Sequence, residues 1–197
     1  MTPLAPDVVL DDETYVDTDL SGQRAGGARL LDCRFERCRA DGLQLRRARL
    51  SGCTLVELRA VDLDVAESQW SDTTLEGARL GAVSAYGAQL TRVAVTGGKL
   101  DYVNLRGATL SDVTFEGVVL GELDLSDATL TDVRLLDCRL DVLSLSAGTR
   151  LERVDLTGAT LHVVNGLDGL RGATVSETQL FELAPLLADH LGIVVAD

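Results

Sequence analysis

Ala108-Thr109-Leu110-Ser111-Asp112 recurs twenty residues on as Ala128-Thr129-Leu130-Thr131-Asp132. Each block is a small residue, a polar residue, Leu, and two further polar residues. Stepping outward from Leu110 by fives, every position from Tyr15 to Leu145 is apolar, 27 in succession. The residues two before these, from Ala28 onward, are Ala, Cys, Val, Leu, Thr, Ser or Gly and never charged. Two positions in every five therefore face inward. Neither a helix of period 3.6 nor an alternating strand keeps a five-residue phase for so long. A coil with five-residue sides does.

The number of sides is read from the small position. Ala28, Ala48, Ser68, Ala88, Ala108 and Ala128 are twenty apart, as are Leu43, Leu63, Val83, Val103, Leu123 and Leu143. Four sides close one coil, and like residues stack at a strand spacing of ~4.8 Å. In this motif the chain resembles the pentapeptide-repeat family over roughly residues 11 to 165. The resemblance implies an all-β solenoid, a right-handed quadrilateral β-helix of seven to eight coils, on the order of 35 Å long. The phase slips by one residue around Ala147-Gly148-Thr149 and resumes at Leu151, which predicts one bulged corner. Gly stands at nine of the 27 positions two after the central residue, as corner turns require. Trp70 is the one oversized inward residue, and Ala60 lies opposite it in the same coil; its indole N–H needs a partner.

The chain has 197 residues, 18 Lys and Arg against 31 Asp and Glu, and a formal charge of −13. That balance argues against direct nucleic-acid binding, which needs cations to displace phosphate counterions. No apolar run approaches the ~20 residues of a membrane span, and Met1 to Asp12 lacks a basic start and an apolar stretch, so a soluble, cytoplasmic protein is expected. Cys33, Cys38, Cys53 and Cys138 all fall at the small inward position and read as reduced core residues, not metal ligands. His162 and His190 have no evident Cys, Ser or carboxylate partner. No catalytic residue, metal or cofactor is expected.

Residues 1 to 10, with Val8-Val9-Leu10, are expected to cap the N-terminal end, because a solenoid otherwise exposes an apolar coil. In residues 166 to 197, Ser176-Glu177-Thr178-Gln179 reads as a capping box. Leu180, Leu183, Ala184, Leu187 and Leu191 follow at helical spacing, widened by Phe181 and Leu186, until Gly192. Pro185 is expected to kink or split this helix, and Ile193-Val194-Val195 to form a final strand. The helix can cap its own rod or join two. Its apolar surface is wider than a cap requires, and the order of elements resembles that of two family members, the Qnr-type quinolone-resistance proteins and MfpA. The resemblance implies a two-fold dimer held by Leu180, Leu183, Leu187 and Leu191.

Charge is unevenly spread. Residues 24 to 59 hold nine arginines against four acids, and residues 60 to 147 hold 14 acids against six bases. A charged surface keeps a solenoid soluble; a stiff rod of about duplex width ringed by carboxylates also imitates DNA. The resemblance to Qnr-type proteins and MfpA implies binding to DNA gyrase and protection from quinolones or gyrase toxins. Asp112, Glu122, Asp124, Asp127, Asp132 and Asp137 on the C-terminal coils are the candidate contacts. Unlike Qnr-type proteins, this chain keeps its register without room for inserted loops, and its central position is mostly Leu where those relatives are rich in Phe. The alternative is a scaffold for some other protein partner.

Overall fold

Leu30, Leu50, Trp70, Leu90, Leu110 and Leu130 pair in that order across parallel strands. The chain, seen in a computed structural model that describes residues 2–195, is wound as a parallel β-solenoid. One sheet runs from Val9–Asp11 to Ala173–Thr174 and the other from Leu43–Gln44 to Ala159–Asn165. Each sheet bends round a corner, which gives four sides.

The bend explains the period of five. In Thr109–Glu116 the buried residues are Leu110, Val113 and Phe115, so inward side chains are three and then two apart. Asp112, between the first two, is left-handed with φ 55°. This corner residue interrupts the alternation of an ordinary strand and turns the chain, so two inward positions recur every five residues. All nine glycines at the corresponding positions have positive φ, among them Gly22, Gly42 and Gly117. Aspartate shares the role at Asp12, Asp17, Asp32, Asp72, Asp112, Asp127, Asp132 and Asp137. Its short side chain makes it one of the few residues that tolerate this conformation.

The expected phase slip is a single corner with one extra residue. Thr129 pairs with Thr109 on one side and with Arg150, 21 residues on, on the other. Thr149 turns inward there, its hydroxyl donating to the Leu125 carbonyl at 3.0 Å and accepting from the Ser146 amide at 3.0 Å. A polar residue thus occupies the inward position with both needs met.

Trp70 donates its indole N–H to Ser68 Oγ at 2.9 Å, and Ser68 Oγ donates to the Val65 carbonyl. Within its own coil the indole fills the space left by Ala60. The next coil has a second small central residue, Ala85, with only Leu75 opposite. An apolar cavity of about 60 Å³ results, lined by Trp70, Leu75, Ala85, Leu90 and Val95 among others. Leu90, though in the interior column, is accordingly less fully buried than its neighbours Leu50 and Leu110.

The N-terminal cap is shorter than the ten residues expected. Asp7 already has the left-handed corner conformation, its amide donates to the Gly26 carbonyl, and Val9–Asp11 is a paired strand. Leu4, 5% exposed, covers the end. Tyr15 stacks on Phe35 with centroids 5.0 Å apart and donates its hydroxyl to the Thr2 carbonyl. Winding also continues past residue 165: a short 3-10 helix at Leu167–Leu170 leads to Ala173–Thr174, which pairs with Val154 and Asp155.

Helix α1 spans Glu177–His190 without interruption, so Pro185 neither kinks it into two helices nor ends it. The carbonyl that Pro185 fails to bond belongs to Phe181, an exposed residue, and water can satisfy it there. The capping box at Ser176 and Gln179 is present. Gly192 ends the helix with φ 70°, and the Ile193 amide donates back to the Ala188 carbonyl. Ile193-Val194-Val195 is not a strand, and among the described residues no strand edge pairs with it.

Candidate partner-binding surfaces

The helix has two faces with different tasks. Gln179 is buried: its amide nitrogen donates to the carbonyls of Leu156 (2.7 Å) and Ala159 (2.6 Å), while its carbonyl oxygen accepts from the Ser176 amide (2.8 Å). One side chain thus starts the helix and satisfies two carbonyls at the end of the rod. One and two turns later, Leu183 is buried and Leu187 partly buried against the core. Leu183 therefore belongs to the cap, contrary to its expected place in a dimer contact, and Leu187 lies at the edge of that cap. Leu180 (52% exposed), Phe181 and Leu191 point outward, and Ile193, Val194 and Val195 extend the apolar surface.

The candidate acids fall into three groups. Asp124 is 1% exposed, so it presents no surface charge. Burial pushes its carboxyl up, but hydrogen bonds from Ser126 and the Arg106 guanidinium (2.6 Å) prevail and hold it below the usual carboxylate range. Glu122, Asp127 and Asp132 are accessible but engaged: Glu122 and Asp127 accept from the hydroxyls of Ser144 and Ser146, and Arg153 grips Asp132 at 2.6 and 2.9 Å. The hydrogen bonds from Arg153 lower the Asp132 pKa. Asp112 and Asp137 are exposed, and their carboxylates have no hydrogen bond or ion pair to any described residue.

Glu116, on the same strand as Asp112, is equally exposed and unpaired, and was not among the candidates. Its five-residue phase already placed it outward. What the sequence could not supply was which acids would find an arginine one coil away, as Asp72 finds Arg92 at 2.6 Å. In the N-terminal coils such pairs offset the excess of arginine: Arg37 with Asp17 and Glu36, and Arg46 with Asp64, Glu67 and the Tyr86 hydroxyl.

The four cysteines are buried and free, their thiols bonded to backbone carbonyls such as those of Leu31 and Tyr15. Burial raises their pKa, that of Cys53 to about 11, far from reactive thiolate behaviour. Among the described residues no group of three or more His, Cys, Asp or Glu could hold a metal ion, and no helix is long and apolar enough to cross a membrane. Contrary to expectation both histidines lie beside a carboxylate: His162, bonded to the Leu140 carbonyl, is 3.7 Å from Asp141, and His190 is 3.3 Å from Asp168.

The fold is thus that of a parallel β-helix built from five-residue sides. The profile for pentapeptide repeats matches in eight copies, over residues 16–55, 88–120 and 108–141, and the chain is a pentapeptide-repeat protein. No curated protein matches. Among solved structures it is similar to HetL, a pentapeptide repeat protein involved in heterocyst differentiation regulation from the cyanobacterium Nostoc sp. strain PCC 7120, with 20% identity, 87% of this chain and 91% of that chain covered, and TM-score 0.40. It is also similar to a trypsin-treated form of QnrB1, a plasmid-mediated fluoroquinolone resistance protein, with 15% identity, 93% and 100% covered, and TM-score 0.39.

Proposed function

We propose that the protein is a dimeric DNA mimic that binds DNA gyrase and modulates it, protecting it from quinolones or gyrase-directed toxins. The observation that carries this reading is the position of the unpaired acids Asp112, Glu116 and Asp137 on C-terminal coils, beside an end whose outward residues Leu180, Phe181, Leu191 and Ile193 are apolar. Two rods joined there by a two-fold axis bring their acidic halves together, and a central polyanion with that symmetry suits the basic saddle that holds a DNA gate. Leu180 and Leu191 make the dimer contact, with Leu187 at its margin; Leu183 serves the cap.

The test is gyrase supercoiling and DNA competition with purified protein. Asp112→Asn with Asp137→Asn is expected to weaken binding several-fold, and more than Arg46→Gln with Arg47→Gln. Asparagine is the right replacement because both positions are left-handed corners that alanine would strain. Added salt weakens the contact. Protein at micromolar concentration that neither inhibits supercoiling nor protects gyrase, including that of its own host, would overturn this reading.

A specific observation supports a second reading, a scaffold for another protein partner. Arg92, Arg106 and Arg153 neutralise Asp72, Asp124 and Asp132, so the negative charge of the C-terminal coils is interrupted where a duplex backbone would be continuous. Failure of the gyrase test leaves this reading in place.

A further inference from the structure

Arg39, Arg59, Arg79 and Lys99 lie in register on successive strands of one side, all of them exposed. Like charges stacked directly opposite in a sheet oppose its pairing. Elsewhere on this side each cation is cancelled by an aspartate two residues further along its own strand: Arg39 by Asp41 at 2.5 Å, Lys99 by Asp101 at 2.6 Å, and Arg139 by Asp141 at 3.0 Å.

In the two middle coils the aspartate is missing. Val61 and Gly81 stand in its place, and the guanidinium of neither Arg59 nor Arg79 has a hydrogen bond or ion pair to any described residue. Two neighbouring guanidiniums are left uncompensated. Val61 is 69% exposed beside them. Gly81 lies so close to the neighbouring strand that a Cβ would run into the Val61 carbonyl oxygen, and one at Gly98 would meet the backbone of Ala78. The absent side chains leave a recess of about 740 Å³ beside Gly81 and Gly98, which meets a second of about 630 Å³ at Ala60, Val61 and Arg79. Asp17 and Asp41 border one of them and Asp101 the other.

We propose that this window binds an acidic segment of a partner protein, one that presents oxyanions to Arg59 and Arg79 and an apolar side chain to Val61. Arginine forks are matched to carboxylate and phosphoryl oxygens. Same-face side chains of an extended peptide recur every ~6.8 Å, within reach of two long side chains stacked ~4.8 Å apart. Charge complementarity is local: a nucleic-acid strand, with phosphates in unbroken succession, would pass over Asp41 and Asp101 at the two ends and meet a chain of charge −13. The site is separate from the acidic coils and does not depend on the gyrase reading.

The test is fluorescence anisotropy with labelled nonapeptides centred on Glu-Ser-Glu-Ser-Val, on phosphoserine-Ser-Glu-Ser-Val, and on Gln-Ser-Gln-Ser-Val, in which the two oxyanions and the valine share one face of the extended chain. One or both of the first two bind, the tighter naming the oxyanion, and the third is at least about tenfold weaker, as the loss of charge-assisted bonds requires. Arg59→Gln with Arg79→Gln weakens binding to the same degree. So does Val61→Asp alone, because it rebuilds on Arg59 the pairing of Arg39 with Asp41. Arg29→Gln with Arg49→Gln, a stacked pair on the opposite side, leaves binding unchanged, and thermal melts show that the variants remain folded. The proposal is overturned if none of the peptides binds, if the two arginine pairs contribute equally, or if a single-stranded oligonucleotide binds as tightly as the acidic peptides.

Discussion

The coils before Arg59 and those after it share a register but differ in the handedness of the backbone at one corner. Early in the chain this corner is a hydrogen-bonded turn with a left-handed glycine: Gln23 donates to Leu20 and Leu43 to Ala40, around Gly22 and Gly42. From Arg59–Asp64 onward the same corner is crossed by an unbroken strand, as in Lys99–Asn104 and Val119–Asp124. The residues at the glycine's place are then Asp62, Ala82, Tyr102, Glu122 and Val142, none with positive φ. Tyr and β-branched Val would be strained in the left-handed region. The adjacent corner keeps its turn throughout, from Ala28 donating to Ala25 to Ala128 donating to Leu125. At this corner turn and strand are thus interchangeable without moving the twenty-residue register.

If the register is common property and the corner a local choice, damage to the two should differ in size. Leu110→Asp, in the shared interior column, buries an unpaired carboxylate at a cost of several kcal/mol, comparable with the whole margin of a domain, and is expected to abolish cooperative unfolding in urea. Leu10→Asp, at the end coil, should lose only that coil, because each repeat contacts just its neighbours. Second in size is the helix. Leu183→Glu uncaps the rod and lowers its melting temperature, whereas Leu180→Glu with Leu191→Glu yields a monomer by light scattering with the melt of the rod preserved.

A corner substitution comes next. Gly42→Ala forces a Cβ into the left-handed region at a cost of ~1 kcal/mol, while the same loss or gain of a Cβ at the extended corner, Ala82→Gly, costs less than ~1 kcal/mol. Equal effects on the urea midpoint would erase the distinction between the two corners. The smallest effect concerns pH. Asp132 has its pKa lowered by Arg153, so its contribution to stability is present above the ordinary carboxylate pKa of about 4 and is lost as pH falls through the depressed value. Arg153→Gln should therefore flatten the acid limb of stability slightly, since both groups are exposed and screened.

The interior was legible because the five-residue phase is a steric requirement that every coil repeats; Leu110 and Thr149 alike follow from it. The corners were legible where glycine marked them and hidden where aspartate did, since Asp112 and Asp137 read from sequence only as charge. Partnering was hidden too: whether Asp124 is buried beneath Arg106 depends on side-chain reach across a coil, which no spacing encodes. The helix was placed by its capping box, but its two faces were separable only once Gln179 and Leu183 could be seen closing the rod.

The void beside Trp70 gives the molecule a weak point of another kind. Unfolding releases internal empty space, so hydrostatic pressure favours it in proportion to the void eliminated. Here more of that space, about 60 Å³, lies around Trp70, Ala85 and Leu90 in the middle of the rod than near Leu30 and Leu50, where it is about 10 Å³, whereas heat and denaturant begin at the ends of a solenoid. Compression should therefore open this protein from within, and the emission of its single tryptophan would record the event. Ala85→Leu, which occupies the void, should raise the pressure midpoint more than it changes the urea midpoint.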